Sequence, residues 1–139
     1  MPSYAETVAI WARDPEAYWA EAAQHIEWDR PWDRVFDPSL GAFGQWFAGG
    51  RLNTCFNALD RHVRDGRGAQ TALIWDSPMA GQVQRWSYAE LLARVARVAG
   101  ALRALGVGQG DRVVIYMPMV PEAAITMLAC ARLGAVHSV

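Results

Sequence analysis

Lysine is missing from this sequence, because all thirteen cationic side chains are arginine. A P-loop requires a lysine to reach the terminal phosphates of a nucleotide, and Schiff-base chemistry requires a lysine amine. Neither mechanism can operate from these 139 residues alone. Cysteine is also scarce, since Cys55 and Cys130 have no third or fourth partner at metal-ligand spacing. We therefore expect no metal site and two buried, reduced thiols, as in a cytoplasmic protein.

Long apolar runs and an excess of one charge are missing as well. No window reaches the roughly 18 uncharged apolar residues of a membrane span, and the segment Met1–Glu6 lacks the pattern of a signal peptide. The net charge of -1 predicts no affinity for nucleic acid or for an anionic membrane. A hydrophobic content of 53% excludes a disordered chain. We expect a soluble cytoplasmic protein that binds neither nucleic acid nor membranes.

The first part of the chain is rich in aromatic residues. The pattern predicts a weak helix over residues 4–12 and a second helix that begins at Asp14-Pro15 and ends near His25. Residues 27–41 carry prolines and aromatic side chains, which favours an extended segment that wraps a larger body. A short strand is predicted over residues 43–47.

A third helix is predicted to begin at Asn53, whose side chain is a plausible N-cap. Phe56, Leu59 and Val63 are spaced to lie on one face of this helix. The run of residues 65–68, Asp-Gly-Arg-Gly, ends it and indicates an internal boundary.

Alternating strands and helices follow from residue 71. Residues 73–75 and 84–86 predict a hairpin, and Ser87 with Glu90 forms a capping box. The helix that this box opens ends at Gly106. Its apolar stripe, at steps of four and three, is Leu91, Val95, Val98, Leu102 and Leu105.

The last elements predict a parallel strand-helix-strand unit. Residues 112–117 indicate a buried strand, Pro121 begins a helix that runs to about Leu133, and residues 135–139 begin another strand. Parallel strands are stable inside sheets that helices cover on both faces. Since the sequence stops at Val139 in mid-strand, we interpret it as the start of a longer protein.

Five features invite a functional interpretation, and a structural one is favoured for each of them. Residues 106–111 resemble a dinucleotide fingerprint but follow a helix and open a strand, the reverse of that motif. Asp60 to His62 are helix neighbours that do not face each other, and His137 is expected to be a core histidine. Residues 117–121 join a strand to a helix, where open α/β sheets keep ligand crevices. The seven tryptophans are expected to serve packing.

Three stretches resemble the AMP-forming short-chain acyl-CoA synthetases of the adenylate-forming superfamily. They are residues 46–62, from Trp-Phe-Ala-Gly-Gly-Arg-Leu-Asn to Asn-Ala-Leu-Asp-Arg-His, residues 110–119, Gly-Asp-Arg-Val-Val-Ile-Tyr-Met-Pro-Met, and residues 122–139, which end in Leu-Ala-Cys-Ala-Arg-Leu-Gly-Ala-Val-His-Ser-Val. The second and third together are close to specific for the short-chain branch. Residues 53–55 and 72–78 favour propionyl-CoA synthetase over acetyl-CoA synthetase.

The resemblance implies a two-step reaction. A carboxylate attacks ATP to give an acyl-adenylate and diphosphate, and the CoA thiol then displaces AMP. The family's phosphate loop, acyl pocket, Mg²⁺-associated acids and catalytic lysine have no counterpart in this chain. Its CoA-binding Phe-Gly-Gly segment would follow soon after Val139. The resemblance therefore assigns no catalytic, cofactor-binding or metal-binding residue here.

The sequence thus predicts an α/β protein with two parts. Residues 1–68 form an N-terminal helical and extended wrap of the acetyl-CoA-synthetase type, and residues 69–139 begin a large AMP-binding subdomain. The parent enzyme would be a propionate–CoA ligase that uses ATP, CoA and Mg²⁺, and this piece would bind none of them and pack on the remainder. An acetate–CoA ligase is the first alternative, and a non-catalytic binding module or degenerate fragment is the second.

Overall fold

The computed structural model describes residues 2–139. Contacts divide the chain into two compact units, Met1–Leu52 and Asn53–Val139. The domain boundary that the sequence analysis sets after residue 68 lies inside the second unit, and it stays a prediction.

The first unit pairs two helices with a small antiparallel sheet. Helix α1 spans Tyr4–Arg13, α2 Pro15–Ala23, β1 Arg34–Asp37 and β2 Gln45–Ala48. The two predicted helices and the second strand are confirmed within a few residues. Strand β1 lies inside the segment that was predicted to be merely extended, because Phe36 pairs with Trp46 across the sheet. That partner lies ten residues further along the chain, outside the reach of a local pattern.

Aromatic rings hold this first unit together. The rings of Trp28, Trp32 and Phe47 lie with centroids 5.0 to 5.4 Å apart, in the edge-on and tilted arrangements that aromatic pairs prefer. The indole of Trp28 also donates to the Ala23 carbonyl at 3.0 Å. A side chain at Gly50 would come within 2.7 Å of the Trp28 ring, so this position requires glycine. These contacts support the packing role predicted for the tryptophans.

The second unit opens with a helix wider than the predicted α-helix. Asn53 caps it, because its side-chain oxygen accepts from the Phe56 amide at 3.0 Å. Two π-helical stretches, Phe56–Asp60 and Val63–Arg67, make up most of its length. Leu59 is buried, and the helix ends where Gly66 adopts a φ of 82°. The predicted α-helical geometry is therefore wrong here, although the cap and the end are right.

A hairpin and a long helix follow. Strand β3 spans Thr71–Ser77, β4 Gln82–Ser87 and α3 Tyr88–Ala104. The capping box is present as predicted, with Ser87 and Glu90 bonded in both directions. The stripe is correct except at its end: Leu105 is 82% exposed, because the helix has already ended there and the chain turns at Gly106.

The core of this unit is mostly aliphatic and is formed mainly by helices, with Trp86 as its one aromatic member among the buried residues of the cluster. Val95 of α3 is fully buried, as are both cysteines, which are free thiols as expected. Helix α4 spans Pro121–Leu133 and packs against α3. The buried cluster consists of Cys55, Leu59, Trp86, Leu91, Val95, Ala99, Ile125 and Ala129.

A parallel pair of strands completes the unit. Strand β5 spans Arg112–Val114, and β6 spans Val136–Ser138 with Val113 opposite His137. The strand–helix–strand prediction is confirmed, but the prediction of a wholly buried strand is wrong. The strand also ends at Val114 rather than at residue 117. Val114 is 80% exposed, whereas Ile115, directly after the strand, is 5% exposed. The side chains alternate because the helices of this unit cover one face of the pair.

Within residues 2–139, none of the helices combines the length and the apolar character that crossing a membrane requires.

Candidate functional site

The loop after β5 occupies the position at which open α/β sheets hold their ligands, at the carboxyl end of a strand. A hydrogen bond from another element holds the backbone of this loop. The indole nitrogen of Trp75 on β3 donates to the Met119 carbonyl at 2.8 Å. Pro121 then begins α4 at its first helical position. The Met119 side chain is 92% exposed, so the backbone of this loop is held while its side chains face solvent.

A groove of about 400 Å³ lies beside this loop and combines apolar with charged side chains. Its residues come from α3, from the loop and from the first turns of α4. They include Arg94, Arg97, Val98, Met117, Glu122 and Ile125. Of residues 117–121, only Met117 lines this concave surface. The structural interpretation that the sequence analysis favours for this junction stays a prediction.

Asp60 belongs to a structural cluster rather than to a catalytic one. Its carboxylate accepts two hydrogen bonds from the Arg132 guanidinium, both at 2.9 Å. Asn53 donates to the Arg132 carbonyl at 3.1 Å, so the same residue of α4 is held at both ends. The predicted anchoring role of Asp60 is supported. Sequence reasoning missed Arg132 because 72 residues separate the two partners.

The Cys55 thiol lies in the same cluster. Burial raises its pKa, although Arg132, which donates to the sulfur at 3.7 Å, opposes that effect. The bidentate bond to Asp60 in turn raises the pKa of Arg132. A thiol whose pKa is raised stays protonated at neutral pH, and a protonated thiol is a poor nucleophile. Cys55 therefore contributes packing rather than reactivity.

His62 faces a guanidinium instead of the neighbouring acid. Its Nδ1 lies 3.2 Å from Nη1 of Arg67, and its ring lies 4.9 Å from that of Tyr88. Burial, followed by the charges of Arg67 and Arg61, lowers the pKa of His62. A neutral imidazole can accept from the guanidinium, so His62 connects the end of its helix to the start of α3. It forms no acid–base pair with Asp60.

The glycines at 106–110 form a turn. Gly106 has a φ of 92° after α3 and Gly110 a φ of 83°, a conformation that favours glycine. The Gly108 amide donates to the Asp111 carboxylate at 2.8 Å, which closes the turn before β5. The helix-end and tight-turn interpretation is supported.

His137 lies on β6 with an exposed side chain. The expectation of a core histidine is wrong, because nothing within residues 2–139 buries this position of the strand. Across the same described residues, no group of three or more histidine, cysteine, aspartate or glutamate side chains comes together in a way that could hold a metal ion.

Comparison with protein families assigns both parts of the chain. A model described as AMP-binding enzyme matches residues 59–139. The chain belongs to the AMP-binding enzyme family. A second model, described as acetyl-coenzyme A synthetase N-terminus, matches residues 4–58. The resemblance to acyl-CoA synthetases and the α/β class are thereby confirmed.

Two of the three relatives described here carry the name of a synthetase. An uncharacterized protein of Pseudomonas aeruginosa is 58% identical over 91% of this chain. The acetyl-coenzyme A synthetase of Deinococcus radiodurans is 51% identical over 90% of this chain. The human mitochondrial acyl-CoA synthetase short-chain family member 3 is 46% identical over the same share. This chain covers 20%, 19% and 18% of these proteins, respectively, so it spans about a fifth of their length.

A solved structure supports the fold. The acetoacetyl-CoA synthetase from Streptomyces lividans matches with a TM-score of 0.83 at 30% identity, over 99% of this chain and 21% of that chain. The family is one of adenylate-forming ligases. We derive no ATP-dependent step from the residues of this chain.

Proposed function

We propose that this chain is the N-terminal region of a propionate–CoA ligase, which converts propionate, ATP and CoA into propionyl-CoA, AMP and diphosphate through an acyl-adenylate. The match of residues 59–139 to the AMP-binding enzyme family carries this proposal. The whole enzyme would use Mg²⁺ with ATP, and its phosphate loop and catalytic lysine would lie beyond Val139.

Acetate is the second candidate substrate. The family model over residues 4–58 and the Deinococcus radiodurans relative both bear the name of acetyl-CoA synthetase. The preference for propionate rests on the resemblance of residues 53–55 and 72–78. In this chain Asn53 caps a helix and Cys55 lies in the core, so these positions serve the scaffold rather than an acyl pocket.

We further propose that the 139-residue chain alone is inactive and works by packing on the rest of the synthetase. It has no lysine to contact phosphates or to support the second half-reaction. We also propose a cytoplasmic location, which agrees with two buried thiols that remain reduced, although the human relative is described as mitochondrial.

The test is to sequence the DNA that follows codon 139, express the complete reading frame, and measure AMP release with propionate and with acetate in the presence of CoA. We expect a higher kcat/KM for propionate and no activity from the 139-residue chain as the matched control. A higher value for acetate would establish the second candidate. A complete protein without carboxylate-dependent AMP release would overturn both candidates.

A further inference from the structure

Arg132, close to the end of α4, is bonded through both its side chain and its backbone to the helix that Asn53 begins. Its guanidinium donates to the two Asp60 carboxylate oxygens, both at 2.9 Å, and to the Cys55 sulfur at 3.7 Å. Its backbone carbonyl accepts from the Asn53 side-chain nitrogen at 3.1 Å. We call these four residues the Arg132 lock. They lie 72 or more positions apart along the chain and join two separate helices.

Asn53 has two roles in this arrangement, and different atoms of its amide group perform them. The side-chain oxygen accepts from the Phe56 amide at 3.0 Å and caps the helix, while the side-chain nitrogen donates to the Arg132 carbonyl. An aspartate at this position would keep the capping oxygen and lose the donor. A single substitution can therefore separate the cap from the lock.

The end of α4 passes the constraint on to the parallel strands. Gly134 ends the helix with a φ of 72°, and its carbonyl accepts from the Gly110 amide at 2.9 Å. Two residues later the Val136 amide donates to the Asp111 carbonyl at 2.8 Å, where β6 begins. The segment between Arg132 and Val136 is short and hydrogen-bonded, so the position of Arg132 determines where β6 starts.

The lock also crosses the boundary between the two family matches. Asn53 and Cys55 lie in the region matched as acetyl-coenzyme A synthetase N-terminus, whereas the other two residues lie in the region matched as AMP-binding enzyme. The compact units divide elsewhere, directly before Asn53. Residues 53–58 therefore belong in structure to the unit that contains the AMP-binding match, and the lock is what holds them there.

We propose that the Arg132 lock is a conformational device, through which the start of the Asn53 helix and the pairing of β5 with β6 open and close as one unit. Releasing Arg132 from its partners frees the end of α4, and β6 then loses the fixed point that sets its register. The hairpin of β3 and β4 takes no part in these bonds, so it stays closed when the lock opens. Native proteins open locally in contiguous cooperative units of this kind.

Hydrogen exchange of single backbone amides, followed by NMR on the 139-residue chain, tests the proposal. In Asn53→Asp we expect the Val136 and Ile115 amides, which donate across the β5–β6 pair, to exchange about fivefold faster or more, because the lock loses a hydrogen bond. Amides of the hairpin should change by less than about twofold. Asp60→Asn weakens the bidentate bond and should give the same pattern. The control is Asp33→Asn, the same change in an exposed ion pair of the first unit, and it should leave both amides as in the wild type.

Faster exchange of all amides by one common factor would show a loss of global stability without a local device, and would overturn the proposal. So would unchanged Val136 and Ile115 amides in folded Asn53→Asp.

The wild type alone gives a result even if the variants do not fold. The Asn57 amide donates to the Asn53 carbonyl at 3.1 Å and so reports on the start of that helix. In low concentrations of urea, we expect Asn57 and Val136 to exchange with the same free energy of opening, and with a lower one than the hairpin amides. Different values for Asn57 and Val136, or one value that the hairpin shares, would overturn the lock.

Discussion

The two units of this chain use different means to stay folded. Met1–Leu52 holds five of the seven tryptophans and eight acidic residues against four arginines, whereas Asn53–Val139 has six acidic residues against nine arginines. Among the described residues, only Ala23 and Ala48 are buried in the first unit. The second unit buries a continuous aliphatic cluster. The first unit is thus acidic and stabilised by ring contacts, and the second is basic and stabilised by a core.

The same capping motif occurs in both units, so it shows how the presence of a buried core changes the role of a helix. Ser3 with Glu6 begins α1 and Ser87 with Glu90 begins α3, each through a complete capping box. Yet α1 has no buried residue, whereas α3 buries Leu91 among others. The same capping box therefore begins two different kinds of helix. Helix α1 relies on its own hydrogen bonds, whereas α3 is also held in place by the core. A cap determines where a helix starts, and packing determines what the helix contributes.

The largest expected effect comes from the core side of this comparison. Leu91→Ala should lower the free energy of unfolding by about 2–5 kcal/mol, because Leu91 is 4% exposed and its loss leaves a cavity. Val8→Ala in α1 is the control and should change it by about 0.5 kcal/mol or less, because Val8 is 42% exposed. Urea unfolding followed by circular dichroism measures both. Similar losses for the two variants would contradict the contrast between the units.

Ion pairs provide the second contrast. Arg132→Met should lower the free energy of unfolding by about 1.5–3 kcal/mol. The substitution leaves the Asp60 carboxylate, whose side chain is 19% exposed, without its bidentate donor. Arg30→Met should lower the free energy of unfolding by only about 0–1 kcal/mol, because the side chains of Arg30 and Asp33 are 56% and 65% exposed. Thermal unfolding of the two single variants tests this order. Adding Asp60→Asn to Arg132→Met should recover part of the loss, and an additive double variant would argue against coupling.

The smallest expected effect concerns the two caps. Ser87→Ala should lower the free energy of unfolding by about 1 kcal/mol. Ser3→Ala should lower it by less, because α1 can fray without exposing a core. Hydrogen bonds from the Ser87 backbone and side chain lower the pKa of Glu90. The contribution of its carboxylate is therefore complete above pH 4.5, its ordinary value, and is lost as pH falls through the lowered value. Urea unfolding should therefore show that the free energies of unfolding of the wild type and of Ser87→Ala become more similar in that acidic range. A difference between the two free energies that grows there would contradict this account.

The elements that local signals define were predictable from the sequence. The Ser87–Glu90 box, Pro121 at the start of α4 and the glycine at 106 each act within one helical turn, so their positions follow from nearby residues. The end of the apolar stripe of α3 shows where prediction from spacing fails. Leu105 continues the spacing of Leu91 and Val95 but follows the end of the helix, where a periodic pattern no longer reports burial.

What the sequence did not predict depends on distant partners. Strand β1 exists because Trp46 lies opposite Phe36, and Arg132 matters because Asp60 reaches it from another helix. The comparisons do not distinguish propionate from acetate as the preferred substrate, because they match a family and relatives named for acyl-CoA and acetyl-CoA synthetases.

The bond between Asp60 and Arg132 also has a consequence for the order of events during synthesis. The two residues are 72 positions apart, and a ribosome adding about 5–20 residues per second separates their appearance by several seconds. Until α4 emerges, the helix that carries Cys55 has neither its guanidinium partner nor the apolar cover that α4 provides. The hydrogen-bonded cluster of Asp60, Arg132 and Cys55 can therefore form only after Arg132 has been made, at a later stage of synthesis than the helix that it holds.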